Sequence, residues 1–168
     1  MFDLPKIIIE AFKKQHFLFL CGNGGSAAEA DHMAAELVGQ FSSYKRQALP
    51  AIALSCSGAI LTSLGNDRGY NQVFSRQIEA YGREGDILLV FTTSDAKEGH
   101  TQNLMEALIT ARRLGIKTAG LVSKKKTKLL LKFIDYPILV EGEETSQIQE
   151  KQIKVLHRIC DKIDRAFL

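Results

Sequence analysis

Phe17-Leu18-Phe19-Leu20-Cys21 runs directly into Gly22-Asn23-Gly24-Gly25-Ser26, and a helix-patterned segment follows over about 26–40. Five apolar residues without alternation read as a strand buried on both faces, the kind found in parallel sheets. A strand, a glycine loop and a helix in that order aim backbone N–H groups and the positive helix end at whatever lies above the loop. The glycines equally suit a tight turn that needs only their dihedral freedom, and the loop by itself leaves both readings open. It is not GxGxxG, so a dinucleotide site is not favoured. Ser26 with Glu29 three residues on reads as a capping box that sets the helix start.

Working outward, further short apolar runs occupy Ala51 to Leu54, Ile87 to Phe91, Lys117 to Val122 and Pro137 to Val140. Helical periodicity fills the intervals at about 72–82, 101–114 and 145–167, with a leading helix near 3–14. Alternating strand and helix predicts an α/β three-layer sandwich around a five-stranded parallel sheet, one domain over 1–168. Ligands of open α/β sheets bind beyond the carboxyl ends of the strands, where the strand order reverses. The loops that follow each apolar run are therefore where chemistry is expected.

The 168 residues are enough for a sizeable core, and a net charge of +3 is only mildly basic. The densest basic run, Lys124-Lys125-Lys126 with Lys128, has no interleaved aromatics and reads as a solvated face, so no nucleic-acid partner is expected. Cys21, Cys56 and Cys160 form no CxxC pair, which argues against a disulfide framework or a cysteine–zinc site. The amino terminus has no basic leader feeding a long apolar stretch, and no apolar run approaches membrane-spanning length. The expectation is a cytoplasmic protein with no membrane partner.

On the helix behind the glycine loop, Ala27, Ala30, Ala34, Leu37 and Val38 form one apolar stripe, and His32 and Glu36 lie on roughly the opposite face. Side chains at i and i+4 converge over one turn, so this pair is either a half metal site or a solvent-facing ion pair. Leu64-Gly65-Asn66-Asp67-Arg68-Gly69 reads as a loop after a short helical stretch. Thr92, Thr93 and Ser94 close the third strand with three hydroxyls suited to phosphate oxygens, with a helix starting near Thr101; such a cluster is also ordinary turn chemistry. Gln149 and His157 lie eight residues apart, about 12 Å along a helix, and spacing alone does not pair them.

Together these segments resemble the sugar isomerase (SIS) domain family and, within it, the phosphoheptose isomerases. The matching pieces are Cys21 to Ser26, His32-x-x-x-Glu36-Leu37, Pro50 to Leu54, Gly65-Asn66-Asp67, Phe74-Ser75-Arg76, Gly82 to Asp86, and Ile148-Gln149-Glu150 with His157. The resemblance implies a flavodoxin-like SIS fold and zinc held by His32, Glu36, Gln149 and His157. It implies substrate contacts from Asn23, Gly24, Gly25, Glu36, Asn66, Asp67, Thr92, Thr93, Ser94, Thr101 and Gln149. It also implies a homotetramer with active sites between subunits, and aldose–ketose isomerisation of sedoheptulose 7-phosphate with Glu36 as base and His157 as acid. The pathway implied is that of activated heptose and surface polysaccharide.

Two features depart from the family pattern. Asp95-Ala96-Lys97-Glu98 reads as an insertion before Gly99-His100-Thr101, and its two carboxylates are expected to weaken phosphate binding. Family members also carry more helix before residue 3, a helix that contributes to subunit packing. The competing expectation is a non-catalytic SIS module that senses sugar phosphate or associates with a replication initiator; a complete metal set favours the enzyme.

Overall fold

The computed structural model describes residues 3–42, 45–96 and 101–168. In chain order they form α1 (Leu4–Lys13), β1 (Leu18–Cys21), α2 (Gly25–Val38), β2 (Ala51–Ala53), α3 (Gly58–Arg68), α4 (Ser75–Tyr81), β3 (Ile87–Thr92), α5 (Gln102–Arg113), β4 (Lys117–Ser123), β5 (Tyr136–Val140) and α6 (Thr145–Ala166). Short 3₁₀ turns occupy Tyr70–Gln72 and Leu130–Phe133. The five strands are all parallel, in the order β2-β1-β3-β4-β5. The expected α/β architecture is the one observed.

Period-two geometry explains the unbroken apolar runs. Leu18, Leu20, Ile87, Leu89, Phe91, Ala119 and Leu121 face a core shared with α1, α2 and α6. Phe19, Cys21, Leu88, Val90 and Val122 face a second core with α4 and α5. Inner strands buried on both faces have no position where a polar residue is favoured. The edge strand β5 differs, with Pro137 and Leu139 exposed, and an edge is where a proline that cannot donate to the ladder is tolerated.

Two local expectations are corrected. Asn66 and Asp67 are not in a loop: α3 continues through them to Arg68. Ser57 Oγ caps its start, accepting the Ile60 N–H at 3.3 Å, and Gly69 ends it at φ 90°. Gly65 in the middle is tolerated at about 1 kcal/mol relative to alanine. Nor does Ser26 cap α2, which begins at Gly25 with Gly24 as its N-cap and no side-chain cap. Among the described residues, no helix is long and apolar enough to cross a membrane.

After β1 the chain leaves through α2 toward β2, and after β3 it leaves through α5 toward β4, on the other side. The carboxyl ends of β1 and β3 therefore flank the switch point of the sheet, where open α/β sheets bind ligands.

Candidate active site

The glycine loop closes one side of that crevice. Gly24 takes φ 55°, a backbone conformation that disfavours any side chain. A Cβ at Gly25 would lie 2.5 Å from Gln149 Nε2, so glycine there is what admits Gln149 from α6. On the other side lies a cavity of about 430 Å³ bordered by Asn23, Tyr70, Asn71, Ser94, Thr101 and Asn103, within the range of small-ligand sites. Thr101 Oγ1 is buried without a partner among the described residues. The Thr92 hydroxyl is already engaged: it donates to the Ser94 carbonyl at 3.0 Å and accepts the Ser94 N–H at 3.1 Å. Thr93 is half-buried beside it.

Seven residues along α2, a second cluster forms. His32 Nε2 and His157 Nε2 lie 2.9 Å apart, so one ring donates the proton the other accepts. Glu36 Oε1 is 3.7 Å from His32 Nε2, and Phe41 packs on the His157 ring with centroids 5.6 Å apart. The end of α2 that carries Glu36 is tied down by Arg46, which is buried. Its guanidinium donates to the carbonyls of Glu36 and Leu37 at 2.8 and 2.9 Å and pairs with the Asp164 carboxylate on α6. Carbonyls left unpaired at a helix end are satisfied in this way.

The buried face of α2 is Ser26, Glu29, Ala30, Met33, Ala34 and Leu37, while Val38 is exposed. His32 and Glu36 therefore flank the buried stripe and face α6, where a face opposite the stripe was expected. The pairs Gly25–Gln149 and His32–His157 show why Gln149 and His157 need not meet: α2 and α6 run side by side in parallel, each contributing one residue at both levels. Asn66 and Asp67 are exposed on α3, hydrogen-bonded to each other at 2.8 Å, and border no part of this cavity.

Asp95, one of the two carboxylates expected to weaken phosphate binding, is held inside the fold. It is 9% exposed, and its carboxylate accepts the N–H groups of Leu129, Lys128, Leu130 and Ala96 at 2.7 to 3.0 Å. Burial pushes its carboxyl up, but those backbone donors outweigh it and hold the group below the usual range. The ionised carboxylate thus braces the backbone at 128–130. Lys97, Glu98, Gly99 and His100 lie outside the described residues.

The SIS domain family matches residues 3–123. The chain is 41% identical over 163 residues to a phosphoheptose isomerase of Clostridium acetobutylicum, covering 97% of this chain and 80% of that one. It is 44% identical over 161 residues to one from Nitratiruptor sp., covering 96% and 83%. The solved phosphoheptose isomerase of Francisella tularensis superposes with a TM-score of 0.88 at 33% identity, over 96% of this chain and 83% of that one. This chain belongs to the SIS-domain phosphoheptose isomerase family. The NanR protein of Vibrio vulnificus, complexed with ManNAc-6P, superposes at TM-score 0.60 and 16% identity and shares the fold alone.

The family's SIS fold makes a metal at the second cluster a question of fit. Among the described residues no three His, Cys, Asp or Glu side chains group tightly enough to hold an ion. The donor chemistry is nevertheless suitable: two imidazole nitrogens and a carboxylate come together. Zinc–nitrogen distances of 2.0–2.1 Å in tetrahedral geometry separate two ligands by about 3.3 Å, a few tenths more than the 2.9 Å between His32 and His157. His32, Glu36 and His157 suit zinc in donor type and would need the histidine pair to open slightly, while Gln149, at the level of Gly25, does not join them.

Asn103 was not singled out by the sequence, and Glu29 was expected only to cap a helix. Asn103 pairs with Asn23 through both amide groups. Glu29, the expected cap partner, is instead 3% exposed with neither carboxylate oxygen hydrogen-bonded to a described residue. Burial pushes its carboxyl up to about 7.

Proposed function

We propose that this chain is a sugar-phosphate aldose–ketose isomerase that converts sedoheptulose 7-phosphate to D-glycero-D-manno-heptose 7-phosphate. The observation that carries the reading is the spacing of two clusters along one helix. Hydroxyl and amide groups at the glycine loop suit phosphate oxygens, and the His32–Glu36–His157 cluster lies seven residues further on, about 10 Å at 1.5 Å per residue. An extended seven-carbon chain from C1 to a terminal phosphorus spans roughly the same distance by ordinary bond lengths. One end would hold the phosphate while the other reaches C1 and C2.

Within this reading the Glu36 carboxylate takes a proton from C1 while an N–H of His157 gives one to O2, which leaves the enediol. Glu36 then returns its proton to C2 and His157 recovers one from O1, so the protons balance. Each transfer needs its group within hydrogen-bond reach of the moving proton. Arg46, bonded to the Glu36 carbonyl, holds the base on a fixed helix end. We assign His32, Glu36 and His157, with Gln149 by family resemblance, as the residues that would hold zinc. Zinc bound there would polarise the substrate oxygens and stabilise negative charge on the enediolate.

A homotetramer with sites between subunits belongs to the same proposal. Helix α3 carries Ala59, Ile60, Leu61 and Leu64 yet buries none of its residues fully, and its Asn66 and Asp67 stand away from the cavity of their own chain. Both features suit a helix completed by another subunit. A cytoplasmic location and a role in activated heptose for surface polysaccharide follow as further expectations. Purified, zinc-supplemented protein incubated with sedoheptulose 7-phosphate should yield the aldose, detected by a change in retention or by NMR of the anomeric proton. No product at any zinc concentration would refute the reading.

A further inference from the structure

We propose that Asn103 is a positioning residue that sets the orientation of Asn23 and so presents the glycine loop to the substrate's anionic end. The inference rests on the isomerase reading and adds a residue to the same site.

The two amides are paired reciprocally: Asn23 Nδ2 donates to Asn103 Oδ1 at 2.9 Å, and Asn103 Nδ2 donates to Asn23 Oδ1 at 2.7 Å. Only a side chain with both a donor and an acceptor on one plane can close such a ring, which fixes which way the Asn23 amide faces. Asn103 is 3% exposed, so no solvent competes for these bonds. Its Oδ1 also accepts the Leu104 N–H at 3.0 Å, anchoring the pair to the first turn of α5. That turn has no other side-chain cap, because Thr101, its N-cap, takes φ 53° and makes none.

A hydrogen-bond inventory shows what the arrangement leaves over. The pair uses one N–H of Asn23, and an amide nitrogen carries two. Thr101 Oγ1 is buried and unpartnered, and both residues border the 430 Å³ cavity together with Ser94. Unused donors converging on one cavity suit an anionic oxygen. Without Asn103, Asn23 would turn freely and the loop would lose its tie to α5, though the reacting end, seven residues along α2, would be unaffected.

The test is a double-mutant cycle on Asn23→Ala and Asn103→Ala, with Asn103→Ser as a second variant that keeps a short polar group at the head of α5. Asn103→Ala and Asn103→Ser should raise KM for sedoheptulose 7-phosphate about tenfold, the loss of roughly one net hydrogen bond, with kcat changed much less. In the Asn23→Ala background the second substitution should add less than about twofold, because Asn103 acts through Asn23. Calorimetry with inorganic phosphate provides a readout independent of turnover, and the Asn103 variants should bind it about tenfold more weakly than the unsubstituted chain. Wild-type protein that binds phosphate but does not isomerise the sugar would refute the isomerase reading and leave Asn103 to be judged on phosphate alone. Unchanged KM and phosphate affinity in folded Asn103→Ser, additive losses in the double variant, or no phosphate binding by the wild type would each overturn the proposal.

Discussion

Replacing Glu29 by glutamine should stabilise the protein in alkali and do little in acid. The carboxyl is buried without a hydrogen-bond partner among the described residues, and burial lifts it from an ordinary 4.5 to about 7. Between those values the folded chain keeps a proton that the unfolded chain has released. The unfolded state then binds fewer protons, so stability falls as pH rises through this window. Below it both states are protonated and nothing is lost; above about 7 both are ionised and the loss is complete. At about 1.4 kcal/mol per pH unit, the full effect is roughly 3 kcal/mol. Glutamine keeps the shape and cannot ionise, so it escapes the loss. Urea unfolding of wild type and Glu29→Gln at about pH 5 and about pH 8.5 should show a stability gap at least about 2 kcal/mol larger at the higher pH. Other titrating groups are common to both proteins and largely cancel. Equal gaps at the two pH values would refute the reasoning, because a carboxylate that ionises without loss is not the unsolvated group that its burial implies.

Metal-replete protein should contain about one zinc per chain, and His32→Ala should lose it by elemental analysis; unchanged stoichiometry would remove His32 from the ligand set. Glu36→Gln and His157→Gln should each lower turnover by about 10²–10⁴-fold, with a strongly non-additive double variant, and zinc must be measured alongside since both are proposed ligands. Near-normal turnover in zinc-loaded Glu36→Gln would require a different base. Asp95→Ala should destabilise the fold by about 2 kcal/mol or more, because it strands several buried backbone N–H groups. An Asp95 variant as stable as wild type in urea would show that those donors find water instead.

The strands were legible because burial on both faces leaves a continuous apolar run, and all five runs became the five strands within a residue or so at each end. Helix α3 was only half legible. Its Gly65-Asn66-Asp67 segment has the composition of a loop, and the cap at Ser57 and the positive-φ stop at Gly69 are set by backbone geometry that composition reports weakly. The rotation of α2 was misjudged for a related reason. Ala27 and Val38 are apolar, whereas Ser26 and Glu29 are polar and buried, so hydrophobicity pointed the stripe away from its true centre.

The site itself divides along a physical line. Residues whose role depends on spacing within one element, such as His32 and Glu36, could be paired from sequence, because a helix turn fixes their distance. His157 could not be joined to them from spacing, since its approach depends on α2 and α6 running in parallel across a fold that also has to exist. Asn103 was harder still, because an asparagine in the first turn of a helix has a local explanation as a capping residue. Only the reciprocal amide geometry with Asn23, eighty residues away in sequence, distinguishes a cap from a brace. Asp95 shows the same limit in the opposite direction. Its charge suggested a group aimed at phosphate, but the carboxylate is turned inward onto the backbone N–H groups of Ala96, Lys128, Leu129 and Leu130. What the sequence lacks in both cases is the direction of a side chain, and direction decides whether a polar group serves the ligand or the fold.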